Sequence, residues 1–143
     1  MKILFDTNII LDTVLDRKAF STAATHLMAK VEQGEIIGLL CATTITTIYY
    51  LAHKELKQTA TQTIIQNLLT IFEIAPVNRT VLSSALKQGF SDFEDAVLHE
   101  AALAVKADAI ITRDPRGFKQ ATLPIYSPQD FFTMLEALKY TSH

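Results

Sequence analysis

Lys2-Ile3-Leu4-Phe5-Asp6-Thr7-Asn8 opens the chain with a short apolar run that stops at a carboxylate. Near the other end, Ala109-Ile110-Ile111-Thr112 is followed by Arg113 and Asp114. Both runs have the apolar, β-branched character of buried strands. Between and beyond them the pattern alternates. Residues 20–33, 43–56 and 59–69 have helical spacing, and Gly34 stands where a helix ends. A second apolar run, 36–41, separates the first two helical segments. Residues 72–77 read as a strand stopped by Pro76. Asn78 caps a helix to 88, with Gly89 at its end. Ser91-Asp92-Phe93-Glu94 has the S-x-x-E form of a capping box and opens a helix to about residue 106. Residues 124–126 form a short edge strand, and Ser127-Pro128 starts a last helix with proline at its first position. Strand–helix alternation predicts an α/β fold of three layers, with helices on both faces of a mostly parallel sheet of four to five strands.

The chain has 143 residues, 49% of them apolar, which fits one domain over residues 1–143. A domain of this size buries roughly 70% of the surface its unfolded chain exposes and needs no disulfide or metal to fold. The composition excludes a disordered or collagen-like chain. Thirteen basic and 15 acidic residues leave a net charge of −2. No global cationic field therefore attracts a polyanion, and any nucleic-acid binding is local. Cys41 is the only cysteine, which excludes an intramolecular disulfide and a cysteine-rich zinc site. Residues 36–52 carry no charge, but the stretch is short of a membrane span and holds four threonines and a glycine. It reads as a buried strand running into a helix. No secretion signal is recognisable, and a cytoplasmic protein is expected.

In a parallel α/β sheet, ligands bind beyond the carboxyl ends of the strands. Asp6 follows the first strand and Asp114 the fourth. Asp92 and Asp95 lie in the first turn of the helix that leads into the fourth strand, so they reach the same edge and share a helix face. If strands one and four are neighbours, four carboxylates converge. Two like charges about 4 Å apart repel by roughly 4 kcal/mol at an effective dielectric near 20. A helix N-terminus returns only about 0.3–1 kcal/mol per charge. Either some carboxylates hold protons or a cation sits among them. An all-oxygen set suits Mg²⁺ or Mn²⁺, the equipment of phosphoryl chemistry. No Ser/His/Asp arrangement, Walker loop or G-x-G-x-x-G competes.

Each residue also has a plain structural reading. Asp6 ends a strand and can cap a helix, with Asn8 doing similar work. Asp92 and Asp95 are ordinary helix-start acids, and Glu94 is explained by the capping box. Asp114 precedes Pro115 and can form a turn. Asp12 and Asp16 are expected on a solvated face. The histidines (26, 53, 99 and 143) show no metal-ligand spacing, and His99 is expected to make a surface pair with Asp95. Arg113, Arg116 and Lys119 form either a solvated loop or a phosphate-contacting rim.

Asp6-Thr7-Asn8, Ser91-Asp92-Phe93-Glu94-Asp95-Ala96 and the run from Ala107 to Asp114 together resemble a PIN domain. The resemblance covers nearly the whole chain in order and spacing. The length is similar to that of compact VapC-type toxins. The resemblance implies a Rossmann-like sheet, a divalent-metal site and endoribonuclease activity. It carries metal-ligand roles to Asp6, Asp95 and Asp114, with Asp92 beside them. Asn8 and Thr112 match positions that order the ligands or a bound water. An antitoxin partner and a homodimer are further implications. The sequence departs from the pattern after the second strand, where Thr47 stands in place of a glutamate. A hydroxyl cannot replace that charge, although it can hydrogen-bond from outside the ligand set.

The expectation is a Mg²⁺- or Mn²⁺-dependent ribonuclease whose site is built from Asp6, Asp92, Asp95 and Asp114. A degenerate PIN fold that binds RNA or a protein without cutting is the alternative. An acidic-pocket phosphatase is a third reading, weakened because D-T-N is not the D-x-D start such enzymes use.

Overall fold

The computed structural model describes residues 1–141. Five strands appear in chain order: β1 (Lys2–Phe5), β2 (Ile37–Cys41), β3 (Glu73–Ala75), β4 (Ala109–Ile111) and β5 (Ile125–Tyr126). They form one parallel sheet in the order β3-β2-β1-β4-β5. Strands one and four are thus neighbours, and the order reverses at β1, the position where such sheets open a crevice. In register, Ile3 lies between Gly38 and Ala109, and Phe5 faces Ile111.

The helices are α1 (Thr7–Val14), α2 (Ser21–Glu32), α3 (Ala42–Glu55), α4 (Gln58–Ile71), α5 (Arg79–Leu86), α6 (Phe93–Ala104) and α7 (Pro128–Thr141). Side chains alternate across a strand, so Ile3 and Phe5 face one core and Leu4 the other. The first core is closed by Ile9 and Ile10 of α1, Leu27 of α2, Ile48 of α3, Leu68 of α4 and Phe131 of α7. The second is closed by Val81 and Ala85 of α5 and by Val97, Leu98 and Ala101 of α6. Both faces of the sheet are covered, which is why its strands read as near-continuous apolar runs.

The uncharged stretch 36–52 divides at residue 41 into β2 and the body of α3. No helix among the described residues is long and apolar enough to cross a membrane. Gly34 ends α2 in the left-handed region at φ 77°. Asp6 ends β1 and caps a helix as expected, the eight-residue α1 that follows it directly. One local expectation is corrected. The Ser91–Glu94 capping box does not form. Asp92 is the cap of α6, its Oδ1 accepting the Asp95 N–H at 3.1 Å. The helix starts one residue later than the box requires, which leaves Glu94 exposed in the first turn.

Gly38 determines how the first core closes over β2. A methyl group there would lie 2.6 Å from the Phe72 ring and 2.8 Å from Val31. Without it, Phe72 lies across β2 and meets Phe5 of β1 edge to face, with centroids 5.4 Å apart. Gly38→Ala is therefore expected to destabilise the fold by roughly 1–3 kcal/mol, the cost of overpacking a closed core. Urea denaturation checks it as a lowered midpoint at unchanged slope.

Candidate metal centre at the carboxyl edge of the sheet

Asp6 stands one step beyond β1. Its N–H continues the ladder to the Ile111 carbonyl at 2.9 Å, and the Thr112 N–H likewise reaches the Tyr126 carbonyl at 2.9 Å. Asp6 and Thr112 therefore sit side by side at the edge. Asp6 is buried and caps α1, its Oδ1 accepting the Thr7 N–H at 2.7 Å. Its Oδ2 accepts the Thr112 hydroxyl at 2.7 Å. The Thr112 oxygen in turn accepts the Asp114 N–H at 3.1 Å and lies 3.5 Å from Asn8 Nδ2. Asn8 Oδ1 accepts the Arg113 N–H at 3.4 Å. Asn8 and Thr112 thus tie the loop after β4 to the start of α1, and the Thr112 hydroxyl and Thr7 N–H fix the Asp6 carboxylate between them.

Asp95 lies in the first turn of α6, facing the same edge. Its carboxyl is pushed up to about 7, first by burial and then by the charges of Asp6, Asp92, Glu94 and Asp114. Burial also raises Asp6. The Thr112 and Thr7 hydrogen bonds hold it down in part, while Glu94 and Asp114 push it up. The Asp6–Asp95 neighbourhood is therefore a single negative field fed by three separate parts of the chain. The 3₁₀ turn Pro115–Phe118 closes against it, and a methyl group on Gly117 would lie 2.6 Å from Asp95 Oδ2. Gly117→Ala is expected to displace the Asp95 carboxylate and weaken Mn²⁺ binding several-fold, measured by isothermal titration, because the added methyl group would collide with Oδ2.

The peripheral acids point elsewhere. Asp92 is committed to its cap. Asp114 is exposed and accepts from Arg116 Nε at 3.3 Å, an exposed pair of little energetic weight. Among the described residues, no three His, Cys, Asp or Glu side chains are already gathered as a metal cage. Like charges splay when nothing compensates them. The residues nonetheless fit a cation: the donors are all carboxylate oxygens, Asp6 and Asp95 are raised by burial and by neighbouring acids, and the exposed Asp114 has room to rotate. Asp6 and Asp95, with Asp114 and Asp92 or Glu94, would hold it.

Glu94 is the residue that sequence reasoning assigned to a cap and that the structure adds to the field. The signal available was the D-x-E-D run itself, with two acids in the first turn after the cap. Thr47 is not aimed at the cluster through a hydrogen bond, since its hydroxyl donates to the Thr43 carbonyl at 3.1 Å. From α3 it is Thr44, fully buried, that reaches the edge, with its hydroxyl 2.8 Å from that of Thr7.

Two further expectations are corrected. Asp12 is not on a solvated face but fully buried. It pairs with Arg113 Nε at 2.6 Å and lies 3.6 Å from Arg17, because α1 turns it under the loop after β4. His99 does not pair with Asp95 at the surface. It is fully buried on α6, with Nδ1 2.8 Å from Glu100 and Nε2 accepting the Thr122 N–H at 3.0 Å. It holds the segment that follows the 3₁₀ turn. Of the basic rim, Arg113 is committed to Asp12, whereas Arg116 and Lys119 are exposed. His143 lies outside the described residues.

Fold and edge together define a Rossmann-like α/β domain with an acidic candidate site where the strand order reverses. A family profile described as the PIN domain matches residues 2–116, and the chain belongs to that family. No curated protein matches the sequence. Among solved structures, the fold is similar to VapBC-1 of nontypeable Haemophilus influenzae, with TM-score 0.69 and 16% identity over 90% of this chain and 99% of that one. VapBC2 of Rickettsia felis, solved on a DNA fragment from its promoter, aligns with TM-score 0.67 and 16% identity over 89% and 98%. Mycobacterium tuberculosis VapC20, described as a sarcin–ricin loop cleaving toxin, aligns with TM-score 0.65 and 13% identity over 80% and 92%. At these identities the likeness establishes the fold.

Proposed function

We propose that this chain is a divalent-metal-dependent endoribonuclease of the PIN type and the toxin of a toxin–antitoxin pair. The observation that carries the reading is the meeting of Asp6, fixed at the end of β1 by Thr7 and Thr112, with Asp95 in the first turn of α6 at the same sheet edge, where each raises the negative field on the site. Likeness in fold to VapC20, described as a sarcin–ricin loop cleaving toxin, and to VapBC complexes supports the choice of substrate and partner. When bound, a hard divalent cation supplies charge neutralisation and Lewis-acid assistance for phosphodiester hydrolysis. Asp6 is the fixed anchor, because two donated hydrogen bonds hold both its oxygens. Asp95 is the second anchor, its carboxylate in space that the missing side chain of Gly117 leaves open. Asp114 completes the set by side-chain rotation, with Asp92 beside it as the cap of α6. Asn8 and Thr112 are positioning residues for Asp6. Arg116 and Lys119 meet the RNA backbone and supply local attraction that the net charge of −2 lacks. Mg²⁺ and Mn²⁺ are the expected cations, with an antitoxin and a second copy of the chain as protein partners.

Two measurements test this. Single-stranded RNA incubated with the protein and Mn²⁺ is cut, and EDTA stops the reaction. Melting temperature rises with Mn²⁺ or Mg²⁺, by the equivalent of about 2.7 kcal/mol at one hundred times the dissociation constant. RNA left intact in a nuclease-clean preparation counts against the reading.

The dispersed acids and Thr47 favour one second reading, a PIN fold that binds RNA or a protein partner without cutting it. Absence of any Mn²⁺ response, with RNA or partner binding retained in Asp95→Asn, would select it.

A further inference from the structure

A cavity of about 390 Å³ opens beside the acidic edge, between α1, α2, the loop after β4 and the start of α7. Its distinguishing group is Arg113, the neighbour in sequence of both Thr112 and Asp114. The guanidinium is fixed from two directions. Its Nε donates to the buried Asp12 carboxylate at 2.6 Å, and its plane covers the Phe20 ring, with Cζ 4.0 Å from the centroid. These contacts occupy one edge and one face. They leave the two terminal amino groups, a planar pair of donors, in a cavity that the Asp12 carboxylate also lines and that Ile9, Ala24 and Pro128 wall. Ser127 and Gln129 add hydrogen-bonding groups on the rim.

The charge arithmetic selects the ligand. Asp12 pairs with Arg113 and its carboxylate itself lines the cavity, while the second cation near Asp12, Arg17, is 41% exposed and 3.6 Å from it. The cavity therefore has little net attraction for a phosphate or carboxylate. It suits a neutral flat ring that presents two hydrogen-bond acceptors to a coplanar fork and apolar faces to the walls. A purely apolar side chain would leave the fork without acceptors, at the cost of burying unpaired donors. Among RNA components, guanine presents O6 and N7 as such an acceptor pair, and an arginine fork is its usual partner.

We propose that this cavity is a base subsite that takes a guanine of the RNA strand adjoining the reacting phosphodiester. The inference rests on the ribonuclease reading for its substrate but not for its test. Arg113 is the specificity-determining residue, Asp12 fixes its orientation, and Phe20 fixes its plane.

The test uses the four nucleoside 5′-monophosphates, added one at a time to the ¹⁵N-labelled chain without metal. Guanosine 5′-monophosphate is expected to shift the Arg113 Nε and Gln129 side-chain signals. It should bind roughly tenfold or more tighter than uridine 5′-monophosphate, the discrimination one bidentate contact provides. Arg113→Lys keeps the charge that pairs with Asp12 but loses the fork, so the fold survives and the guanine preference disappears. Phe20→Ala weakens binding of guanosine 5′-monophosphate with the sheet intact. No shift with any of the four nucleotides overturns the subsite and leaves the cavity to an apolar group of a protein partner. Equal shifts with all four overturn it as a guanine site. If RNA is cut while guanosine 5′-monophosphate does not bind, the subsite falls and the nuclease reading stands. If RNA is never cut but guanosine 5′-monophosphate binds as described, the reverse holds.

Discussion

Asp6→Asn is expected to lower RNA cleavage by roughly a thousandfold, the scale on which removal of one preorganised charged group acts at a phosphoryl-transfer site. The substitution keeps the shape of the side chain. The carboxamide oxygen still accepts from Thr7 N, and the sheet edge is otherwise backbone, so the cap and the β1–β4 ladder persist. What disappears is one negative charge from the most deeply fixed position in the cluster. The metal-free melting temperature should stay level or rise, because Asp6 is itself raised by burial and by its acidic neighbours. Loss of activity with retained stability marks a functional residue. Loss of both would show that Asp6 serves mainly as the α1 cap and would remove the case for a metal centre there.

The second large effect concerns Asp95 and has a definite sign with pH. Its folded-state pKa is raised from 3.8 to about 7. A carboxyl raised in this way favours the fold below its unfolded value and withdraws that support as pH climbs through the folded value. Metal-free protein should therefore lose stability between about pH 4 and pH 8. At about 1.36 kcal/mol for each pH unit between the unfolded and folded values, discounted by half for partial solvent screening, the loss is about 2 kcal/mol. Asp6 acts in the same direction. Asp95→Asn should flatten this profile, raise the metal-free melting temperature at pH 8, and abolish the stabilisation by Mn²⁺. Thermal denaturation at pH 5, 6, 7 and 8, with and without Mn²⁺, reads all three. A wild-type profile that rises with pH in the absence of metal contradicts the proposed field. In physical terms the cluster gives up stability for charge density, and a bound cation restores the balance.

The central strands were legible because they are buried on both faces and so written as unbroken apolar runs, as Ile3-Leu4-Phe5 and Ala109-Ile110-Ile111 are. The carboxylates at positions 6, 95 and 114 were legible for a related reason: a charge that ends a buried strand, or opens the helix feeding one, has its end of the sheet fixed by chain direction. Asp12 and His99 were not legible. Each lies on a helix where local spacing is compatible with a solvated position. Their burial depends on what arrives from elsewhere in the chain, Arg113 over Asp12 and the Thr122 backbone at His99. The cap of α6 was misread for a smaller reason, since Ser91 and Asp92 both satisfy local rules and it is Asp92 that accepts the Asp95 N–H.

By itself, then, the amino-acid order determined the alternation of strands and helices, the edge to which the acids go, and the family to which the chain belongs. The first two follow from hydrophobic period and chain direction, which are properties of consecutive residues, and the third from the resemblance of three short motifs. Only the tertiary structure decided that Glu94 joins the acidic field, that Thr44 rather than Thr47 reaches the edge through a hydrogen bond, and that Arg113 is locked between Asp12 and Phe20. Those outcomes depend on distances between residues remote in sequence, and electrostatic and hydrogen-bond energies are set by such distances.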